Sequence, residues 1–132
     1  MTENSIAQIV AEIKAKVHEI DTQLSTIEVG ELPENFKPLW DSMLKSWDRV
    51  KLQIEDLNVE ALNKHWQAIL FDLRSPLTHV HGTLQFFPRA SEAGFECELS
   101  LDINAKIHEA LPHLQIIAEA LREIDHFYRG DI

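Results

Sequence analysis

The stretch IAQIVAEIKAKVHEIDTQLSTI, Ile6 to Ile27, decides the fold class. Its seam residues are Ile6, Val10, Ile13, Val17, Ile20, Leu24 and Ile27, spaced alternately four and three apart without exception. Apolar residues at this mean period of 3.5 lie on one stripe of an α-helix, and the stripe must be covered by other helices. Every second seam position is isoleucine. Ser5 or Asn4 is the expected start cap. Gly30 and Pro33 are the expected stop, because neither continues a helix well.

Reading outward, the pattern returns three times. Phe36, Trp40, Met43, Trp47, Val50, Ile54 and Leu57 form a second seam, with Pro38 in the first turn, where its missing N–H costs nothing. After Leu57 the phase slips. A third stripe runs through Val59, Leu62, Trp66, Ile69, Leu73, Leu77, Val80, Leu84 and Phe87, with Asn58 placed to cap a fresh helix or to mark a skip in a continuous one. Ile103, Ile107, Ala110, Leu114, Ile117, Leu121, Ile124 and Tyr128 make the fourth, capped by Asp102 and closed at Arg129-Gly130. Pro76 and Pro112 fall inside the third and fourth helices, and each predicts a kink. Between these two helices, Phe95 to Leu101 alternates with period two and is expected to be an extended segment packed on the bundle.

The expected fold is therefore all-α: an antiparallel four-helix bundle with helices near 4–29, 35–57, 59–87 and 102–129, in one domain covering 1–132. Hydrophobic residues make up 45% of the chain, too many for a disordered segment. The formal net charge is −10, and the 12 Lys and Arg are scattered. That field repels a phosphate backbone, so nucleic acid is not an expected partner. No apolar run reaches the roughly 18 residues of a membrane-spanning helix, and the start of the chain lacks a basic signal-peptide region. A cytoplasmic location is the expectation. Cys97 is the single cysteine, which excludes an internal disulfide, and Glu96 and Glu98 beside it disfavour the thiolate.

Within the third helix lies Phe71-Asp72-Leu73-Arg74-Ser75-Pro76-Leu77-Thr78-His79-Val80-His81-Gly82. This run resembles the phosphoacceptor box of the dimerisation and histidine-phosphotransfer domain of sensor histidine kinases. Asp72, Leu73, Arg74, Ser75, Pro76, Leu77, Thr78, Val80 and Gly82 match the family pattern over about a dozen residues. The likeness extends more loosely to the fourth helix as a hairpin over 58–129, and it leaves the heptad helix of residues 1–30 uncovered. The departure falls where the family carries its phosphorylated histidine, because Phe71 stands there. A phenyl ring has no nucleophilic nitrogen, and Asp72, the residue that supports the histidine in the family, has nothing to activate. The resemblance implies that Ser75 takes the family's water-positioning place. The sequence also lacks the Gly-rich nucleotide boxes of a kinase; it holds 4 glycines in all. No cofactor, no catalytic residue and no autophosphorylation are expected.

Two chemistries remain to be weighed beside this resemblance. His79 and His81 could act as substitute phosphoacceptors, as in helical phosphotransfer proteins, but that motif places Gly four residues after its histidine and Gly82 follows His79 by three. As metal ligands they are poorly placed, since two steps along a helix turn them roughly 200° apart. Trp40, Trp47 and Trp66 are expected in the core because they sit on the seams. The function expected from the resemblance is a non-catalytic adaptor in two-component signalling. It would dock a response-regulator receiver domain or a histidine kinase through Phe71, Asp72, Arg74, Ser75, Pro76 and His79, with a homodimer as the expected assembly. The alternatives are a phosphotransfer protein using His79 or His81, and an oligomerisation module joined through the first helix.

Overall fold

The computed structural model describes residues 2–89 and 99–130, and within them the chain forms four long helices. They are α1 (Glu3–Ser25), α2 (Lys37–Glu55), α3 (Val59–Phe86) and α4 (Leu101–Arg129), with a 3-10 turn at Val29–Glu31. No strand occurs among the described residues. Cys97 and most of the expected extended segment, Phe95 to Glu98, lie outside them.

The order around the bundle follows from cross-helix contacts. α1 packs most closely on α4 and α2 on α3, with α3–α4 and α1–α2 completing the ring. Each neighbouring pair is antiparallel. Lys106 Nζ donates to the Thr26 carbonyl while Gln23 reaches Glu109, so numbers fall on α4 as they rise on α1. Lys14 Nζ donates to the Glu55 carbonyl while Trp47 reaches Asp21, which orders α1 against α2 in the same way. Phe87 stacks on Phe36 at the start of α2, and Ser46 meets His79 further along.

The seams of α1 and α2 are buried throughout, with Ile6, Ile13, Ile20, Phe36, Met43 and Val50 wholly inaccessible. The α1 stripe is thus covered by its own chain, and the four helices of one chain complete the bundle. α3 departs from its expected stripe. Leu62, Leu73, Val80, Leu84 and Phe87 are buried, but Val59, Trp66, Ile69 and Leu77 are only half-buried.

The helix ends differ from the sequence expectation by a few residues. Thr2, not Ser5 or Asn4, caps α1 by accepting from the Ser5 N–H. Ser100, not Asp102, caps α4 by accepting from the Ile103 N–H. α1 stops at Ser25, ahead of Gly30 and Pro33, because the Thr26 N–H turns back to the Gln23 and Leu24 carbonyls. Asn58 does start a fresh helix: its side chain accepts from the Ala61 N–H at 2.8 Å. Gly130 closes α4 at φ 76, a left-handed conformation that glycine adopts without a Cβ penalty.

The kinks are also displaced. The backbone of α3 leaves helical angles at His65 (φ −140, ψ 28), and neither Pro76 nor Pro112 marks such a departure. Each proline withholds an N–H from the carbonyl four residues earlier, on Asp72 and His108. Both of those residues are exposed, so water is at hand for the unpaired oxygen and the helix continues.

Candidate functional site

The residues singled out in the third helix divide between its two sides. Phe71 is 75% exposed, and Asp72, Arg74, Ser75 and His79 are exposed as well. Pro76 is buried and faces the core, so it does not belong to the outward surface where the sequence placed it. Helical geometry explains the split. Residues 71, 74, 75 and 78 lie at steps of three and four and share one face, opposite the Leu73–Pro76–Val80 side that packs inward. Phe71, Arg74, Ser75, Thr78 and His79 line a shallow surface hollow of about 460 Å³.

The backbone beneath this face is well tied. Thr78 Oγ1 donates to the Arg74 carbonyl at 2.8 Å. His79 Nδ1 lies 2.6 Å from Ser46 Oγ, which pins it to α2. His81 is half-buried, and its place two residues on turns it to the other flank of α3. The two histidines therefore do not converge, and no group of three or more metal-ligating side chains occurs among the described residues. The Arg74 guanidinium forms no ion pair among the described residues.

A larger groove, about 710 Å³, runs along the outside of the α3–α4 junction. Its apolar surface comes from Trp66, Leu70, Phe71, Leu77 and Leu121. Arg74 on α3 and Arg122 and Arg129 on α4 edge it with positive charge. Arg129 is committed locally: its Nε donates to both carboxylate oxygens of Asp125 at 2.8 and 2.9 Å, and its guanidinium lies 5.5 Å from the Trp66 ring centre. Trp66 also stacks on Tyr128 at 5.8 Å, and the Tyr128 hydroxyl donates to Asn63 Oδ1 at 2.7 Å. Thus Trp66, expected in the core with Trp40 and Trp47, lines a groove instead. The cause lies in the packing, since α3 leans more closely on α2 than on α4.

No family model matches this chain, and no curated protein or solved structure matches it either. The site is accordingly defined by its own chemistry. An exposed phenyl ring, a guanidinium with no ion pair among the described residues and two hydroxyls share a helix face, beside the α3–α4 groove. Among the described residues this face carries no nucleophile–base pair supported by a third group. No described helix is long and apolar enough to cross a membrane.

Proposed function

We propose that this chain is a non-catalytic adaptor of two-component signalling, which docks a receiver domain or a histidine kinase on the outer face of α3. One observation carries the reading: Phe71 is 75% exposed and shares its hollow with Arg74, whose guanidinium forms no ion pair among the described residues. An aromatic ring and an arginine on a rigid, outward helix face are the residue types that dominate protein interfaces. The resemblance of residues 71–82 to the phosphoacceptor box supplies the class of partner. Phe71 replaces the phosphorylated histidine, so binding would proceed without phosphoryl transfer.

The test is partner titration by calorimetry against purified receiver domains and kinase hairpins. Phe71→Ala and Arg74→Glu are each expected to weaken binding at least tenfold, about 1.4 kcal/mol. Both positions are exposed, so thermal stability should stay near that of the parent. Unchanged affinity in both variants would remove the α3 face as the docking site.

A phosphotransfer reading is favoured by one feature. His79 is exposed, and its Nδ1 contact with Ser46 leaves Nε2 without a hydrogen bond among the described residues. On that reading phosphoramidate adds one acid-labile phosphoryl group at His79, seen by intact mass at alkaline pH. The adaptor reading expects no adduct under conditions that label a phosphotransfer protein.

A further inference from the structure

Arg74 on α3 and Arg122 on α4, both exposed, flank the α3–α4 groove from opposite walls. Neither guanidinium has an ion-pair partner among the described residues. The antiparallel register is fixed by Trp66 lying against Tyr128 and Arg129. It brings Arg74 and Arg122 to within about one helical turn, ~5 Å, of the same level along the groove. Two long, unpaired guanidiniums at one level can close on a single anionic head group, each through paired N–H donors. Below that level Leu70 and Trp66 on α3 supply an apolar wall, beside Gln67 and, on α4, the paired Asp125 and Arg129. The groove volume of about 710 Å³ falls within the ordinary range for small-ligand clefts, roughly 300–1,000 Å³. Asp125, the one carboxylate in the groove's lining, is already paired with Arg129, whose Nε–H is shared between its two oxygens. The lining thus holds three arginines and one carboxylate, a balance opposite in sign to the net charge of −10 carried by the chain.

We propose that the α3–α4 groove binds a small amphipathic carboxylate, a free fatty acid, with its head group held between Arg74 and Arg122 and its chain laid along Leu70, Leu121 and Trp66. The size of the cleft and its two cations at one level favour a single charged head with an apolar tail. This site stands independently of which protein docks on Phe71. Because Arg74 belongs to both surfaces, a bound acid competes with a docked partner.

Decanoate is the probe, kept below micelle formation and compared with decan-1-ol and decyltrimethylammonium. Calorimetry is expected to give saturable one-to-one binding of decanoate, at least tenfold tighter than either control. The half-buried Trp66 should report it by a fluorescence change that Trp66→Phe removes. Arg74→Gln combined with Arg122→Gln should weaken decanoate at least tenfold. Arg122→Gln alone should weaken decanoate and spare the protein partner, which separates this proposal from the docking one. Equal binding of decan-1-ol, an unaltered affinity in the double variant, or a groove that takes an acidic amphipathic peptide but no decanoate would each overturn it.

Discussion

Trp40→Ala is expected to destabilise the chain by about 3–5 kcal/mol, the largest loss of any single substitution considered. Trp40 is 1% exposed and lies in the second seam. Its ring centre is 5.9 Å from that of Phe87, which stacks on Phe36 at 4.9 Å. These three rings join the start of α2 to the end of α3, at the end of the bundle where the chain leaves α3. Truncation to alanine removes the transfer energy of the indole and leaves a void that backbone helices cannot close. A domain holds only about 5–15 kcal/mol in total, so the variant should unfold at markedly lower urea and melt about 10 °C or more below the parent. Trp40→Phe keeps a ring against Phe87 and should recover much of the loss. Phe71→Ala removes a ring of similar chemistry at a site 75% exposed, and it should cost no more than about 0.5 kcal/mol. If urea titrations followed by circular dichroism gave the two substitutions similar costs, the assignment of Trp40 to the core and Phe71 to a binding face would fail together.

That contrast marks what the sequence could and could not disclose. The seams of α1 and α2 are read directly, because a strict 3.5-residue stripe has only one helical face to bury. Their residues are buried without exception. Caps are harder to assign, since Thr2 to Ser5 and Ser100 to Asp102 each offer several competent side chains, and hydrogen-bond geometry selects among them. The break at His65 carries no glycine or proline to announce it. Pro76 announces one that the backbone angles do not show, because the carbonyl it orphans lies on an exposed residue. The exposure of Phe71 is implicit in the stripe, as position 71 falls between Ile69 and Leu73 and points away from both. The α3–α4 groove is not implicit. It depends on how far α3 tilts toward α2, which leaves Trp66, Ile69 and Leu77 half-covered, and no local pattern encodes the distance between two helices.

Asp21→Ala is expected to cost about 1–3 kcal/mol, less than Trp40→Ala but with a pH signature of its own. Asp21 Oδ1 accepts from the Trp47 indole Nε1 at 3.0 Å, and Lys51 Nζ lies 3.0 Å from the same oxygen. Burial pushes the Asp21 carboxyl upward, but the Trp47 and Lys51 hydrogen bonds and the Lys51 charge together outweigh it and hold the carboxyl below its usual range. Lys51 is raised, first by its hydrogen bond to Asp21 and then by Asp48. Alanine at 21 strands the indole N–H of a residue that is 1% exposed. Asparagine keeps an acceptor there and loses only the charge. The Asp21–Lys51 pair is partly exposed, so its own contribution is small, about 0.2–1 kcal/mol after screening. Because the folded carboxyl binds its proton more weakly than the unfolded one, this contribution is complete above the unfolded value near about 3.9. It is lost as pH falls through the lower folded value. For Lys51 the sign reverses: its share is complete below the unfolded value near about 10.4 and is lost as pH rises through the raised folded one. Asp21→Asn should therefore trail the parent by a small, constant margin between those limits and converge with it in acid. Asp21→Ala should trail further at every pH, because the stranded N–H does not titrate. Urea midpoints of the three proteins from pH 3 to 8 measure both margins. Equal costs for alanine and asparagine would mean that the Trp47 hydrogen bond contributes nothing, and that α1 is held to α2 at this point by apolar contact alone.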